Sequence, residues 1–151
     1  MDCRSSAQHF LVVEDNADDA LLMRRAVNSS TLWTLTVCRT LAEAKCYLLG
    51  TGVYSNRTVC PFPQAILCDL HLNGESADDL LRWMRDKPAI LEIPFTILSG
   101  SISPSEMATA NELGARHVLR KPAKFDDLKR LLLRLSQELP TQMPLSACDG
   151  L

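Results

Sequence analysis

Five short apolar runs, separated by longer amphipathic stretches, set the hydrophobic pattern of this 151-residue chain. The runs are rich in Val, Ile, Leu and Phe, and each has the length of a strand. They predict strands over residues 10–13, 33–38, 63–69, 95–98 and 117–119. Except in the second run, where Thr alternates with apolar residues, the pattern is typical of strands buried on both faces of a sheet.

The stretches between these runs carry helix signals. Two begin with a Ser/Thr-x-x-Glu capping box, at Thr40 and Ser103, and the last repeats leucine every three or four residues. The signals predict helices over residues 17–28, 41–49, 77–87, 104–113 and 125–139, with Pro88 ending the third. This alternation of strands and helices predicts an α/β fold, a doubly wound five-stranded parallel sheet with helices on both faces.

The remaining stretches have little pattern. Residues 51–63 are predicted to be a loop, longer than the usual connection of about five residues. Residues 140–151 begin with proline and contain Pro144 and Gly150, so we expect a mobile C-terminal tail after a single domain over residues 1–139. Because so little sequence follows the last helix, we expect no separate output domain.

The composition of the chain argues against several classes of function. The net charge of −2 gives no electrostatic footprint for nucleic acid. No run approaches the ~20 apolar residues of a membrane span, and the first eight residues lack a signal-peptide pattern. The six cysteines include no Cys-x-x-Cys pair, so a thiolate metal site is not expected. We therefore expect a cytoplasmic protein that binds neither membrane nor nucleic acid.

Polar groups of chemical interest follow four of the predicted strands. Glu14 and Asp15 follow the first, Asp69 ends the third, Ser99 follows the fourth and Lys121 follows the fifth. The carboxyl ends of parallel strands share one edge of a sheet, where ligands bind. Carboxylates ~4 Å apart repel by roughly 4 kcal/mol per pair at an effective dielectric of ~20, so three of them need either a cation or raised pKa values. Mg²⁺ suits this oxygen-rich set and is predicted as the cofactor.

Together these residues match the needs of phosphoryl transfer to a carboxylate. Asp69 can act as the nucleophile and become an aspartyl phosphate, while Ser99 and Lys121 can contact the phosphoryl oxygens. Each residue also has an ordinary interpretation: Asp69 as a turn cap, the two acids near position 14 as helix-start residues, and Lys121 as a solvated turn residue. Their occurrence together at strand ends favours phosphoryl transfer.

The motifs resemble those of response-regulator receiver domains of two-component signalling. The resemblance covers residues 8–139 and is carried by Leu-Val-Val-Glu-Asp-Asn at 11–16, Ile-Leu-Cys-Asp-Leu at 66–70, Ile-Leu-Ser-Gly at 97–100, and Gly-Ala at 114–115 with Leu-Arg-Lys-Pro at 119–122. It implies a flavodoxin-like fold with strand order 2-1-3-4-5.

The resemblance also implies residue roles. Asp69 is expected to accept a phosphoryl group from a sensor histidine kinase or phosphotransfer protein, with Ser99 as switch hydroxyl and Lys121 pairing with the phosphate. The implied metal ligands are Glu14, Asp15, Asp69 and the backbone carbonyl of His71. The bond between Lys121 and Pro122 is expected to be cis. Such a protein signals by protein contacts and is not classed as an enzyme.

Within the family, residues 13–19 look most like stand-alone regulators paired with phytochrome-type sensor kinases. Those relatives often dimerise, so a homodimer is a candidate state of assembly for this chain. Asn73 and Ala77 replace a frequent proline and glycine, and Val118 replaces the usual switch aromatic. In the family this aromatic side chain moves between a buried and an exposed state to transmit the signal, and a valine cannot make that movement. Two roles for the protein therefore stay open: it passes a signal through the loop after the fourth strand, or it acts as a phosphate sink.

Two other functions fit parts of the pattern. A haloacid-dehalogenase-type phosphatase also uses aspartate and Mg²⁺, but it has a second acid two residues after the nucleophile, where this chain has His71. A pseudo-receiver keeps the fold as a binding module without phosphorylation; the intact acid, hydroxyl and lysine positions count against it.

Overall fold

The structure, a computed structural model, describes residues 8–29 and 33–139. In chain order its elements are β1 (Gln8–Val13), α1 (Ala17–Asn28), β2 (Trp33–Cys38), α2 (Leu41–Leu49), β3 (Ala65–Asp69), β4 (His71–Leu72), β5 (Glu75–Ser76), α3 (Ala77–Met84), α4 (Pro88–Leu91), β6 (Phe95–Ser99), α5 (Pro104–Glu112), β7 (His117–Arg120) and α6 (Phe125–Gln137).

Five strands form one parallel sheet in the order β2-β1-β3-β6-β7. Counted within the sheet alone this order is 2-1-3-4-5, so the predicted flavodoxin-like fold is confirmed. The register pairs Val13 with both Cys38 and Cys68, and Asp69 with Leu98. The strands therefore end nearly level with one another, and the residues after them meet at one edge of the sheet.

The core has two layers, one on each face of the sheet. Alternate residues of β1 point to opposite sides: Leu11 packs with Tyr47 of α2 in one layer, whereas Phe10 packs in the layer of α1 and α6. Both strand residues are fully buried. Burial of such side chains stabilises the fold by about 1.5–3 kcal/mol each, so the two layers hold the strands in register.

Helix caps account for most of the predicted boundaries. At Ser103 both halves of the capping box form, since its hydroxyl accepts from the Glu106 N–H at 3.1 Å and the Glu106 carboxylate accepts from the Ser103 N–H at 2.8 Å. At Thr40 only the hydroxyl half forms, because the Glu43 carboxylate accepts from the Arg39 N–H instead. Ser76 starts α3 with a further capping box that the sequence analysis did not identify.

The predicted helix over 77–87 is too long. It ends at Met84, and Pro88 begins the four-residue helix α4 rather than only terminating a longer one. Proline suits a first helical turn, where its missing N–H has no intrahelical partner. The predicted loop over 51–63 is also partly regular, with a 3₁₀ turn at Gly52–Tyr54. Arg57 anchors this loop by donating to the Leu48 and Cys60 carbonyls at 2.9 and 3.2 Å.

The segment after Asp69 is an antiparallel hairpin, which the sequence analysis treated only as a turn. Strands β4 and β5 pair His71 with Ser76, joined by Asn73 and Gly74 at φ 40° and 86°. Two successive positive φ values are the mark of a two-residue hairpin turn, for which Asn-Gly is the favoured sequence. The turn after Asp69 is therefore the defined turn of a short hairpin.

Two further expectations concern the peptide bond before Pro122 and the chain ends. No peptide bond between described residues is cis, so the expected cis bond between Lys121 and Pro122 is wrong. The trans form is the intrinsic preference of an X–Pro bond by about 0.5–1 kcal/mol.

The tail predicted for residues 140–151 lies outside the described residues. None of the described helices has the length and apolar character needed to cross a bilayer.

A partly buried polar network, centred on the buried His9, lies against α2. The imidazole of His9 contacts the hydroxyls of Thr34 at 2.7 Å, Thr36 at 3.0 Å and Tyr47 at 3.0 Å, and the Tyr47 hydroxyl donates to the Pro61 carbonyl at 2.6 Å. Burial lowers the pKa of His9 below its usual value of 6.5. The ring therefore stays neutral in the folded protein at a pH where the unfolded chain takes up a proton.

We expect the free energy of unfolding to fall as the pH drops through 6.5, because the unfolded state then binds the proton first. The variant His9→Gln should lose this part of the pH dependence. Urea unfolding from pH 7.5 to 5.5 measures it, with His117→Gln as the control for removing an imidazole outside the core. An identical slope in wild type and His9→Gln would contradict the assignment.

Candidate functional site

The first acid of the site is fixed by the short connection between β1 and α1. Glu14 directly follows β1, is 3% exposed, and donates its N–H to the Cys38 carbonyl at 2.9 Å. One oxygen of its carboxylate accepts from the Asn16 N–H at 3.1 Å. Asn16 in turn caps α1 by accepting from the Asp19 N–H at 2.9 Å. A backbone hydrogen bond from Asn16 therefore helps to set the direction of the Glu14 carboxylate.

Asp69 ends the central strand β3, as the sequence predicts. Its neighbours are β1 on one side and β6 on the other, so it lies in the middle of the sheet edge. Its side chain is only 14% exposed. An aspartate held there is accessible to a ligand while its carboxylate stays largely out of bulk water.

Lys121 joins the acids across the sheet edge. Its N–H donates to the Ser99 carbonyl at 2.9 Å, which continues the pairing of β7 with β6. Its ammonium lies 2.6 Å from Glu14 Oε2, 2.8 Å from Asp19 Oδ2 and 3.2 Å from Asp69 Oδ2. The predicted convergence is therefore observed between residues 107 positions apart in sequence.

The three predicted acids also converge. Glu14, Asp15 and Asp69 each place a carboxylate oxygen within 4.8 Å of the others. Charges this close repel one another, and oxygen donors at this spacing are the set that Mg²⁺ prefers. The residues present therefore fit a divalent cation of the hard, oxygen-seeking kind.

Electrostatics couple the lysine to the acids. Burial raises the pKa of Glu14 above its ordinary value, although hydrogen bonds from Lys121 and Asn16 oppose the shift. Burial also disfavours the charged form of Lys121, but hydrogen bonds to Asp19 and Glu14, with the charges of Glu14 and Asp69, outweigh it and raise the lysine pKa. The lysine is therefore a permanent cation in this cluster.

A small pocket of about 60 Å³ opens beside the cluster. It is lined by Leu22 and Met23 of α1 and Leu128 of α6, together with Asp69 and Lys121. Apolar walls lower the local dielectric, which strengthens attraction between ions and the penalty for an unpaired one. The setting favours a charged ligand that satisfies both the acids and the lysine.

The side chains of Ser99 and His71 make contacts outside the acid–lysine cluster. Ser99 is 3% exposed at the end of β6, and its hydroxyl donates to the Ser101 carbonyl at 3.1 Å rather than to Asp69. The side chain of His71 forms an ion-pair contact with Glu106 of α5, with 3.2 Å between Nε2 and Oε2. The proposed metal contact of His71 involves its backbone carbonyl, so this role stays a prediction.

Asp19 is a site residue that the sequence analysis missed. It lies in the first turn of α1 and contacts the ammonium of Lys121 at 2.8 Å. Acids in a first helical turn are common because they interact favourably with the helix dipole, so composition alone gave no signal. The available signal was topological, since the first turn after β1 borders the same sheet edge as Asp69.

Sequence similarity points to one family. No protein-family model matches the chain. It is 28% identical over 124 residues to the response regulator Rcp1 of Synechocystis sp., spanning 82% of each chain. It is 26% identical over 130 residues to the two-component response regulator ORR6 of Oryza sativa, spanning 86% of this chain and 72% of that one.

Solved structures give the same result. The phosphorylated cyanobacterial phytochrome response regulator RcpA matches with a TM-score of 0.77 and 26% identity, over 89% of this chain and 99% of that one. The Mn²⁺-bound form of Rcp1 matches with a TM-score of 0.74 and 26% identity, over 90% and 97%. In sequence, in fold and in its acid–lysine cluster, the chain is therefore similar to the receiver domains of response regulators.

Proposed function

We propose that this protein is a single-domain response regulator that accepts a phosphoryl group on Asp69, with Mg²⁺ bound, and signals by protein contact. The observation that carries the proposal is the position of Lys121. Its ammonium lies 3.2 Å from the Asp69 carboxylate and 2.6 Å from that of Glu14. A nucleophilic carboxylate beside a fixed cation and a cluster of acids is the arrangement that phosphoryl transfer to aspartate requires.

In the transfer, a carboxylate oxygen of Asp69 attacks phosphorus and forms an O–P bond. The N–P bond of a phosphohistidine on the donor protein breaks, and its electron pair stays on the imidazole nitrogen. Lys121 already lies beside Asp69, so it can pair with a phosphoryl oxygen without a change in the backbone. Positioning and charge neutralisation account for most of the catalysis in such transfers.

The metal ligands in this proposal are the carboxylates of Glu14, Asp15 and Asp69 and the backbone carbonyl of His71. Support comes from the three carboxylates, whose oxygens lie within 4.8 Å of one another, and from the Mn²⁺ in the related Rcp1 structure. When bound, Mg²⁺ neutralises charge on the phosphoryl group being transferred. The chain itself supplies the oxygen ligands and holds them at the edge of a rigid sheet.

Ser99 is proposed as the switch hydroxyl. In this structure the hydroxyl donates to the carbonyl of Ser101, the second residue of the loop that leads to α5. To contact a phosphoryl group on Asp69 it must release that carbonyl. This exchange would connect the chemistry at Asp69 to the loop after β6 through a single hydrogen bond.

A second contact supports the same route for the signal. His71, two residues after the phosphoacceptor, pairs with Glu106, whose other carboxylate oxygen caps α5 through Ser103. Val118 is half-buried against the core layer of α2 and α3. Because it has no aromatic ring, it cannot transmit a signal by moving such a ring between a buried and an exposed position. Of the two outputs left open by the sequence, we therefore favour signalling through the loop after β6 and α5 over a phosphate sink.

The proposed partner is a sensor histidine kinase or a phosphotransfer protein. The related RcpA is a phytochrome response regulator, which makes a phytochrome-type kinase the first candidate to test. The proposal also states that the protein is a single domain over residues 1–139, is cytoplasmic, and binds neither nucleic acid nor membrane. A homodimer is a candidate state of assembly. The role is that of a phosphoryl acceptor in a signalling family, not of an enzyme acting on a small substrate.

The variant Asp69→Asn should abolish phosphorylation, because an amide is a poor nucleophile toward phosphorus. Wild-type protein incubated with acetyl phosphate and MgCl₂ should gain the mass of one phosphoryl group, detected by intact mass spectrometry. The exposed residue Asp126 offers a control, since Asp126→Asn should still be phosphorylated. Wild type that gains no phosphoryl group would support the pseudo-receiver. Multiple-turnover release of phosphate from small phosphoesters would support the phosphatase.

The variant Lys121→Met should destabilise the metal-free protein by roughly 2 kcal/mol. This is less than the ~3–5 kcal/mol for a fully buried pair, because the lysine side chain is 23% exposed. Addition of MgCl₂ should raise the melting temperature of this variant more than that of wild type, because the ammonium no longer competes with the metal for Glu14. Lys124→Met, at an exposed lysine, is the control. Equal Mg²⁺-induced shifts in wild type and Lys121→Met would contradict this assignment.

A further inference from the structure

The site contains a fourth acid that the proposed chemistry does not use. Asp19 contacts the Lys121 ammonium at 2.8 Å, closer than the phosphoacceptor Asp69 at 3.2 Å. It is not among the three acids whose oxygens cluster within 4.8 Å and fit a metal. Its contact with the site therefore runs through the lysine.

The donors of Lys121 are fully used. An ammonium group has three N–H donors, and the structure gives it three carboxylate partners, Glu14, Asp19 and Asp69. A phosphoryl group on Asp69 brings further oxygens that need a donor. The donor that serves Asp69 can pass to a phosphoryl oxygen, because a phosphorylated Asp69 is no longer a free carboxylate. A second contact between the lysine and the phosphoryl group requires that Glu14 or Asp19 be released.

Solvent exposure indicates which contact is released. The side chains of Glu14 and Asp69 are 5% and 14% exposed, whereas that of Asp19 is 39% exposed. A buried carboxylate that loses its partner is strongly destabilised, but an exposed one regains water. Asp19 is therefore the partner that Lys121 can leave most easily.

The capped first turn of α1 fixes the backbone position of Asp19. Its backbone N–H is bound by the Asn16 side chain at 2.9 Å, so the first turn of α1 is capped. Its neighbour Asp18 is in the same turn and is exposed, with no ion-pair contact to Lys121 among the described residues. The same charge therefore has different surroundings at two adjacent positions, which provides a matched comparison.

We propose that Asp19 is a positioning residue that holds Lys121 in the resting state and competes with the phosphoryl group for its ammonium. The inference rests on the proposed function. It assigns to Asp19 an influence on the affinity of the site for a phosphoryl group. Removal of the Asp19 charge frees one lysine donor and reduces repulsion of a phosphoryl dianion. Because the competing pair is partly exposed, the gain in affinity should be modest, roughly threefold to tenfold.

The test measures the affinity of the full chain for beryllofluoride, a phosphoryl analogue that coordinates aspartate. Isothermal titration calorimetry at saturating MgCl₂ compares wild type with Asp19→Asn, Asp18→Asn and Asp19→Glu. We expect Asp19→Asn to bind beryllofluoride more tightly by that factor. Asp18→Asn, which has the same change in net charge and helix-end charge, should match wild type, and Asp19→Glu should stay close to wild type because it keeps the carboxylate.

A second titration with MgCl₂ alone separates positioning from metal binding. Asp19→Asn should not bind Mg²⁺ more tightly than Asp18→Asn, since Asp19 is not in the metal cluster. Equal beryllofluoride affinities for Asp19→Asn and Asp18→Asn, or weaker binding by Asp19→Asn, would overturn the inference and leave the proposed function standing. Wild type that binds no beryllofluoride with MgCl₂ would overturn both.

Discussion

Electrostatic repulsion among acids at one sheet edge is the constraint on which this site depends. Glu14, Asp15 and Asp69 are brought within 4.8 Å of one another, where their mutual repulsion is costly. The ammonium of Lys121 offsets part of that charge through contacts with Glu14, Asp19 and Asp69. The balance remains negative, and this leaves the pocket prepared for a divalent cation and poised to exchange lysine partners when a phosphoryl group arrives.

The sheet makes this concentration of charge possible. Its core layers bury large apolar side chains on both faces, so strands β1, β3 and β6 cannot shift to relieve the repulsion. The favourable energy of packing is distributed over the whole domain, whereas the unfavourable charge is confined to one edge. The stored repulsion can therefore be used for binding without loss of the fold.

Signal output has to leave this rigid edge through the elements that border it. The hairpin of β4 and β5 contacts α5 through His71 and Glu106, and Ser99 contacts its own loop through the Ser101 carbonyl. The His71–Glu106 contact is exposed and the Ser99 contact starts from a buried hydroxyl, and neither needs a mobile aromatic ring at Val118. A switch built from exchanged hydrogen bonds is consistent with a chain that lacks that ring.

The sequence by itself determined most of the elements and the position of Asp69, the proposed nucleophile. Apolar runs, caps and breakers act over a few residues, so strand ends, helix starts and the position of Asp69 could be predicted, with the fold class following from their alternation. The Asn73-Gly74 pair is also a local signal, because Asn-Gly is the favoured sequence of a two-residue hairpin turn. The hairpin after Asp69 therefore belongs to what the sequence encodes locally.

Only the tertiary structure decided which side chains meet. The contact of Asp19 with Lys121 joins residues 102 positions apart, and the Ser99 hydroxyl chooses the Ser101 carbonyl over Asp69. Such choices depend on distances of a few tenths of an ångström and on competition among several partners in a low dielectric. Local sequence patterns carry no record of that competition, because it arises only once the strands are packed side by side.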